Sequence, residues 1–377
     1  MSNLTDVIVV GAGVTGAACA YYAARSGLSV TVLDRGPVAG GTTGSGEGNL
    51  LVSDKEPGPE LELALLSARL WGELAQCLPP GVEYEAKGGL VVASDATGMA
   101  ALRKFAESQT GAGVTAEEIP ADRLHDLEPH LAPALGGGFH YPQDAQVQPA
   151  LAAAHLLRAS GARVRTGEEV TAVLTDAHGR VRGVRTAAGE LHAPRVVNAA
   201  GTWGGEVARL AGAHLPVLPR RGFVLVTEPL PRLVRHKVYA ADYVSDVASD
   251  SAALRTSAVV EGTPAGPVLI GASRERVGFD RTLSVDAISG LAARATALFP
   301  VLAGVRVMRT YAGFRPYLPD HLPAIGPDPH VPGLLHACGH EGAGVGLAPA
   351  TGLLVARLLT GGQPPLDAGP FRPDRFA

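Results

Sequence analysis

The sequence predicts an α/β protein in which a βαβ unit is combined with a second region that is rich in strands. Three observations lead to this fold class: a strand–turn–helix–strand pattern at the start of the chain, a second strand–turn–helix pattern near its end, and short alternating segments between them. With 377 residues the chain is long enough to bury two cores. We therefore expect two domains.

The first pattern lies between Asp6 and Asp34. The apolar run VIVV at residues 7–10 is typical of a parallel strand that is buried on both faces. The turn GAGVTG at residues 11–16 follows, and then a helix whose N-terminal N–H groups would face an anion. The second strand ends at Asp34, whose carboxylate can accept hydrogen bonds from a ribose. Together these features predict a site for an ADP-containing dinucleotide, either NAD or FAD.

The loop after the second strand, residues 35–50, is dense in glycine and hydroxyl groups. Thr42, Thr43, Ser45 and Asn49 are short donors and acceptors at a place where a cofactor would arrive. A flexible surface linker is the alternative. Beyond this loop the sequence predicts a helix over 59–78, a strand pair around the glycines within 83–93, and a helix over 97–108.

The middle of the chain predicts a helix over 147–161 and then a β-meander. The last segment of the meander leads into NAAGTW at residues 198–203, where small residues would let a backbone pass close to a ligand. The remaining predicted elements are meander strands over 170–174, 181–185 and 191–197, further strands over 223–226, 238–239, 257–260 and 268–270, and a helix over 285–298.

The second informative pattern lies in the tail, residues 309–359. A short strand over 334–337 precedes a glycine-rich turn at 339–346 and a helix over 347–359. A second helix N-terminus suits a dinucleotide, because such a ligand has two ends, and it would stabilise negative charge on a reduced flavin. Ordinary α/β packing without a ligand is the alternative.

Composition narrows the classes of function. The formal net charge of −4 argues against a surface for nucleic acid or anionic membranes. Cys19, Cys77 and Cys338 are widely spaced, which indicates neither a disulfide framework nor a metal site. The N-terminus lacks a basic leader, and no apolar stretch approaches the length of a membrane-spanning helix. We expect a cytoplasmic protein without membrane insertion.

The motifs together resemble those of the D-amino-acid oxidase superfamily, and the glycine oxidase and sarcosine oxidase branch is the nearest general match. Segments 46–61 and 257–281 resemble the flavin subunits of D-hydroxyproline dehydrogenases and opine oxidases. The motifs that carry the resemblance are the first βαβ unit with Asp34, GTTGS at 41–45, VNAAGTW at 197–203, AGFRP at 312–316 with PAIG at 323–326, and GHEGAG at 339–344.

The resemblance implies FAD as the cofactor and a particular layout. A Rossmann-like FAD-binding domain (residues 1–82, 149–212 and 313–377) would be interleaved with an α+β substrate domain (83–148 and 213–312) built on a mainly antiparallel sheet. The implied reaction is oxidation of the C–N bond of an amino acid to an imine, by hydride transfer to flavin N5. The preferred substrate would be a secondary amine, such as D-proline, hydroxyproline or an N-substituted amino acid.

Two other functions stay open on the same resemblance. One is a glycine or D-amino-acid oxidase that acts on primary amines. The other is a flavin-carrying electron-transfer subunit of a multi-subunit dehydrogenase. The implied partners are therefore a small amino-acid substrate and either an electron-acceptor subunit or a second copy of the chain.

The resemblance also assigns site residues. Arg315 matches the arginine that grips the substrate carboxylate, a task that suits its planar and permanently charged guanidinium. Tyr243, Tyr311 and His340 are the other candidate catalytic residues, as walls of the substrate pocket. Where glycine oxidase-like chains carry an arginine in the tail motif, this chain has Gly342, which implies a roomier or differently charged pocket. The candidate cofactor-binding residues are Gly11, Ala12, Gly13, Val14, Thr15, Gly16, Asp34, Arg35, Thr42, Thr43, Gly44, Ser45, Gly48, Asn49, Leu50, Val170, Ala199, Ala200, Gly201, Trp203, Arg315, Gly339, His340, Glu341, Gly342, Gly344, Val345 and Gly346.

Overall fold

The N-terminal βαβ unit forms as its sequence predicts. Strand β1 (Val7–Val10) leads into helix α1 (Val14–Arg25) and strand β2 (Val30–Asp34), and the two strands pair in parallel. Every residue of β1 is buried, because parallel strands flank it on both sides and helices cover the sheet. The protein is known from a computed structural model, which describes residues 5–247 and 251–377.

The first sheet collects strands from distant parts of the chain. Its strand order is β18-β19-β12-β1-β2-β8. Neighbouring strands are parallel except for the antiparallel pair β18–β19 at one edge. The strands not yet given are β8 (Arg163–Thr166), β12 (Val196–Asn198), β18 (Ala324–Pro327) and β19 (Leu334–Cys338).

Three long helices pack around α1 and the first sheet: α2 (Pro59–Cys77), α5 (Pro149–Ser160) and α9 (Gly344–Thr360). Helices α1 and α9 approach closely, since a Cβ on Gly352 would lie 2.6 Å from the backbone carbonyl of Ala18. In the described part of the chain, the helical segment 341–360 is long and apolar enough to span a membrane. The sequence prediction that no apolar stretch reaches the length of a membrane-spanning helix was therefore wrong. In the fold this segment packs on α1 and α2.

The second sheet is mixed and mainly antiparallel, with the order β17-β13-β16-β15-β14-β4-β6-β5 and one parallel pair, β14–β4. Helix α8 (Val285–Leu298) covers one face of it. The opposite face shares a core with α1 and α2. Its strands are β4 (Gly89–Ala93), β5 (Glu117–Pro120), β6 (Gly137–Tyr141), β13 (Leu218–Thr227), β14 (Lys237–Ala240), β15 (Arg255–Gly262), β16 (Val268–Arg274) and β17 (Val307–Tyr317).

Smaller elements complete the fold. A three-strand meander packs beside the first sheet, and a short ribbon pairs β3 with β7. The meander is β9 (Val170–Thr175), β10 (Val181–Thr186) and β11 (Gly189–His192), the ribbon is β3 (Asn49–Leu50) and β7 (Ala145–Gln146), and the remaining helices are α3 (Ala96–Thr110), α4 (Leu124–Leu127), α6 (Gly204–Leu210) and α7 (Asp242–Val247).

Three predicted elements differ from the structure. The strand pair expected within 83–93 is the single strand β4, because Glu85 makes only an isolated bridge to Gln146. The segment 191–197 is divided between β11 and β12, which lie in different sheets, and Pro194 between them has no N–H for a continuous ladder. Strand β17 runs across residue 313, where the domain boundary was predicted, and stays paired with β13 up to Tyr317.

Candidate active site

A large cavity lies where the two sheets meet. It is lined by the turn after β1, the loop after β2, the ends of β12 and β19, and the strands β13 and β17. These elements come from both sheets and from both ends of the chain. The cavity can therefore hold a ligand that reaches from the nucleotide-binding turn to the second sheet.

The glycine turn after β1 has a conformation that excludes side chains. Gly11 has a φ of +114°, and a Cβ there would lie 2.3 Å from the carbonyl oxygen of Ala199. A Cβ on Gly16 would lie 1.9 Å from the carbonyl oxygen of Gly11, so this glycine lets α1 start directly beneath the turn. The first turn of α1 therefore lines the cavity with Val14 and Thr15, in the geometry that binds phosphate at a helix N-terminus.

Asp34 lines the cavity at the end of β2. Its Oδ2 accepts a hydrogen bond from the N–H of Ala12 at 2.7 Å, and its Oδ1 accepts one from the N–H of Gly36 at 2.8 Å. Each carboxylate oxygen can accept a second hydrogen bond, so both remain able to bind ribose hydroxyls. Nearby, the guanidinium of Arg35 lies 4.4 Å from the ring centroid of Trp203, and both residues line the cavity.

The loop between β2 and β3 is held to both sheets. The hydroxyl of Thr42 donates to the carbonyl oxygen of Phe314 at 2.6 Å, which ties the loop to β17. The hydroxyl of Thr43 accepts a hydrogen bond from the N–H of Val14 at 3.0 Å, which ties it to α1. These contacts favour the cofactor loop over the flexible linker, the two readings that the sequence left open.

Arg315 projects from β17 toward the far end of the cavity. Its Nη1 donates to the carbonyl oxygen of Ser273 at 2.8 Å, and a Cβ on Gly222 would lie 2.1 Å from the same nitrogen. Among the described residues, no carboxylate lies within ion-pair distance of this guanidinium. Burial, and next the charge of Arg274, lowers the pKa of Arg315. The cavity thus contains a guanidinium that forms no ion pair with the part of the chain that the structure describes.

Tyr243 from α7 lines the cavity beside this arginine. Burial raises the pKa of Tyr243, so its phenol is neutral at ordinary pH. The guanidinium of Arg274 lies 5.1 Å from the Tyr243 ring centroid and is itself buried. Arg274 was missed at the sequence level, although an arginine that interrupts the apolar strand 268–273 was a signal.

A cluster of buried charges adjoins the loop after β2. Glu47 lines the cavity, with its Oε1 3.6 Å from Nζ of Lys237 on β14. Lys237 also forms an ion pair with Glu261 on β15. The side chains of Glu47, Lys237 and Glu261 are 6%, 1% and 1% exposed. None was named from the sequence, yet Glu47 is the one charged residue in the loop segment 36–53, which could have identified it.

The family model described as DAO, FAD dependent oxidoreductase, matches residues 6–358. The chain belongs to this family of flavoenzymes. Its cofactor is FAD, and the cavity of this flavoenzyme fits that group. Gly13 lines the cavity without a side chain, where a pyrophosphate would approach the turn, and Asp34 would accept hydrogen bonds from the ribose. Asn49 lines the cavity with a buried Oδ1 that lacks a hydrogen-bond partner among the described residues.

Similarity to known proteins supports the conclusion that the chain is an enzyme that oxidises amino acids. The hydrogen cyanide synthase subunit HcnC of Pseudomonas aeruginosa is 32% identical over 100% of this chain and 97% of its own length. The glycine oxidase of Geobacillus kaustophilus is 30% identical over 98% of this chain and 97% of its own length. Its crystal structure has a TM-score of 0.88 and covers 98% of each chain at 28% identity. The crystal structure of the iminodiacetate oxidase of Chelativorans sp. BNC1 matches with a TM-score of 0.83 at 25% identity. The match covers 97% of this chain and 98% of the oxidase chain.

His340 and Glu341 line the cavity, but both side chains interact with other residues of the protein. Nε2 of His340 lies 3.0 Å from the hydroxyl of Thr351, and burial lowers the pKa of His340 to about 4. Its imidazole is therefore neutral at pH 7 and held by α9. Glu341 forms ion pairs with Arg220 and His321. Both side chains are better suited to hold the turn before α9 than to take part in proton transfer.

Most of the residues that the sequence nominated meet in the cavity. They are Gly11, Gly13, Val14, Thr15, Asp34, Arg35, Thr42, Thr43, Ser45, Asn49, Val170, Ala199, Ala200, Gly201, Trp203, Tyr243, Arg315, His340, Glu341, Gly342, Gly344 and Val345. Their assignment as contacts of FAD or substrate stays a prediction.

Other nominated residues lie behind the cavity wall and do not line it. Gly48 is packed on the backbone, since a Cβ there would lie 1.8 Å from the carbonyl oxygen of Val147. The hydroxyl of Tyr311 donates to the carbonyl oxygen of Gly46 at 3.2 Å and so supports the loop, and its contact with substrate stays a prediction. The full set is Ala12, Gly16, Gly44, Gly48, Leu50, Tyr311, Gly339 and Gly346.

Proposed function

We propose that this flavoenzyme oxidises the C–N bond of an α-amino acid whose nitrogen is a secondary amine, such as D-proline, hydroxyproline or an N-substituted glycine. The observation that carries the proposal is Arg315, a cavity-lining guanidinium with which no described carboxylate forms an ion pair. A substrate carboxylate would supply the missing anion. Two parallel N–H donors would orient it, because a guanidinium matches the geometry of a carboxylate.

The surroundings of Arg315 suit the amine in its neutral form. Tyr243, Val224 and Gly222 line this end of the cavity and carry no charge at ordinary pH. A dry site of this kind disfavours the charged form of an amine. Bound FAD would accept the hydride equivalent from the α-carbon. The protein would contribute by fixing the carboxylate and excluding water.

Two observations support a secondary amine over a primary one. Gly342 lies beside Arg315, and a Cβ at this position would lie 3.5 Å from the arginine Nε. A side chain longer than alanine would therefore fill the space beside the guanidinium, which glycine leaves open. The iminodiacetate oxidase to which the chain is similar acts, by its name, on a secondary amine. A ring or N-substituent would occupy the space that a longer side chain at position 342 would fill.

The test is anaerobic mixing of the purified protein with a panel of amino acids, followed through bleaching of the flavin absorption. The secondary amines D- and L-proline, 4-hydroxyproline and N-methylglycine are compared with glycine and D-alanine. We expect the fastest bleaching with a secondary amine. Faster bleaching by glycine or D-alanine would instead identify a primary amine oxidase, the first alternative.

Replacing Gly222 with alanine tests whether the position of the Arg315 guanidinium matters for activity. The new Cβ would lie 2.1 Å from Nη1 and 2.5 Å from the carbonyl oxygen of Ser273, so it would stand between the two atoms and break their hydrogen bond. A displacement of about 1 Å at a positioning group can lower kcat/KM about a hundred-fold. The matched control is Gly304→Ala, because no atom lies within 4 Å of a Cβ there. Equal activity of the two variants would show that the position of Arg315 is unimportant.

A role as an electron-transfer subunit is the second alternative, since HcnC is named as a subunit of a larger enzyme. Turnover of the isolated chain with oxygen and with an artificial dye separates the two cases. A high yield of peroxide from the isolated chain would favour an independent oxidase. Turnover with the dye alone would favour a partner that accepts the electrons.

A further inference from the structure

Glu47 is a buried carboxylate with one oxygen, Oε1, that accepts no hydrogen bond from the described residues. It lines the cavity, its side chain is 6% exposed, and its Oε1 has no hydrogen-bond partner within the described ranges 5–247 and 251–377. A buried polar atom without a partner costs free energy. Such an atom at a ligand cavity indicates that the ligand supplies the donor.

Of the two carboxylates beside Lys237, Glu261 makes the closer contact. Glu261 pairs directly with Lys237, and its other oxygen accepts a hydrogen bond from the N–H of Gly48 at 3.4 Å. Lys237 stands 3.6 Å from Glu47 Oε1, which is beyond hydrogen-bond distance. Lys237 therefore contacts Glu261 at hydrogen-bond distance and Glu47 at the longer distance of an ion pair. Glu47 is the member of the cluster that faces the cavity.

Within the described residues, titratable groups from four elements interact with Glu47. Lys237 and Glu261 face it from β14 and β15, Tyr243 from α7, and Arg315 and Tyr311 from β17. The backbone of Gly271 on β16 closes the remaining side, since a Cβ there would lie 2.7 Å from both carboxylate oxygens. Burial, opposed by the charge of Lys237, raises the pKa of Glu47. The carboxylate is therefore a stronger base than an exposed one.

We propose that Glu47 is the catalytic residue that binds the substrate nitrogen, accepting an N–H hydrogen bond at Oε1 and taking up the proton that the ammonium must lose. This role rests on the proposed function, in which Arg315 holds the carboxylate of the same amino acid. The carboxylate and the nitrogen share one α-carbon, so their two binding groups must be neighbours. Arg315 meets this condition, because both side chains lie against β16: the Glu47 carboxylate lies beside Gly271, and Arg315 donates to the carbonyl oxygen of Ser273, two positions further along the strand.

The proton and electron balance is as follows. One N–H bond of the ammonium breaks and one O–H bond forms on Glu47, which leaves a neutral amine and a neutral acid. The α-hydrogen then leaves as hydride with two electrons, for which FAD is the oxidant. The substrate becomes an iminium ion, which water hydrolyses. Glu47 returns its proton to solvent when the product leaves.

Ligand pairs that differ only at the nitrogen test the binding role. 2-Methylproline keeps the amine and carboxylate but lacks the α-hydrogen, and 1-methylcyclopentane-1-carboxylate replaces the N–H by CH2. Dissociation constants are measured for the FAD-loaded protein by calorimetry. We expect the amine to bind more tightly by about ten-fold or more, the worth of a hydrogen bond to a charged group. Glu47→Gln should remove most of this preference and leave the affinity of the carbon ligand unchanged.

Glu261→Gln is the matched control, because it removes a buried carboxylate from the same lysine without touching the cavity lining. It should lower Tm but keep the preference for the amine ligand. Glu47→Asp is the second variant, and it should retain part of the preference. Equal ligand ratios in wild type and Glu47→Gln, or the same loss in Glu261→Gln, would overturn the proposal.

The pH profile of kcat/KM tests the proton transfer. In the wild type the acid limb should follow ionisation of Glu47. In Glu47→Gln it should move up to the pH at which the free amine loses its own proton, so that high pH restores activity. An acid limb that stays in place would contradict the role of Glu47 as proton acceptor.

The pair 2-aminoisobutyrate and pivalate repeats the binding comparison for a primary amine. If the protein binds this pair but not 2-methylproline and its carbon analogue, the secondary-amine assignment is refuted. The ratio within the pair, compared between wild type and Glu47→Gln, would then decide the role of Glu47 by itself. The failure of one proposal is thus distinguishable from the failure of the other.

Discussion

Arg315→Leu is expected to lower kcat/KM for the amino-acid substrate about a thousand-fold, because two charge-assisted hydrogen bonds, each worth about 2 kcal/mol, are lost. The variant should still bind FAD, since the nucleotide turn and Asp34 lie at the other end of the cavity. Steady-state kinetics measures the loss, and the flavin-to-protein ratio shows that the cofactor is retained. Arg315→Lys should recover part of the activity, because it restores the charge but not the paired donors.

Arg309→Leu is the control for this substitution. Arg309 lies on the same strand, six positions before Arg315, but it is exposed and packs on the ring of Tyr311. Its loss should change kcat/KM by about two-fold at most, as for an exposed charge. If Arg315→Leu and Arg309→Leu behave alike, the carboxylate is bound elsewhere, and the buried Arg274 becomes the next residue to test.

Gly11→Ala is expected to prevent stable binding of FAD. The added Cβ would lie 2.3 Å from the carbonyl oxygen of Ala199, and the φ of +114° is one that alanine avoids. Either β1 must separate from β12 or the turn must move into the space for the pyrophosphate. We expect purified protein with little bound flavin and a dissociation constant for FAD raised about a hundred-fold or more. Absorption spectra and FAD titration measure both.

Gly27→Ala is the control for Gly11→Ala, because it introduces backbone strain without a steric clash. Gly27 follows α1 and has a φ of +87°, but no atom lies within 4 Å of a Cβ there. This substitution should cost about 1 kcal/mol of stability through backbone strain and leave FAD binding intact. Gly11→Ala protein that carries a full complement of FAD would show that the close approach of the turn to Ala199 is not needed.

Local patterns were sufficient for the nucleotide-binding unit. The apolar run, the glycine spacing and Asp34 lie within thirty residues, and each acts through backbone geometry that a short segment determines. The same holds for helix α8, predicted with its bounds correct, because its apolar spacing reflects a single buried face. The segment 191–197 failed because pairing in two different sheets is not a local property.

The substrate end of the cavity depends on register. Strand β13 pairs Gly222 with Gly313 and Arg220 with Arg315, and this alignment places the guanidinium of Arg315 above a residue without a side chain. No spacing within one segment reveals that Gly222, nearly a hundred positions earlier, is needed to seat Arg315. Residues that act together across strands become visible only once the strands are paired.

The sequence by itself determined that the chain binds a dinucleotide, and its motifs pointed to FAD and to Arg315. Only the tertiary structure distinguished Glu47, Lys237 and Glu261, three charged residues from three elements that meet in the protein interior. It also showed that His340, nominated with Arg315, is bound to Thr351. The physical reason is that hydrogen-bond satisfaction and burial belong to the folded arrangement. A carboxylate left without a donor can be recognised only when all its neighbours are in place.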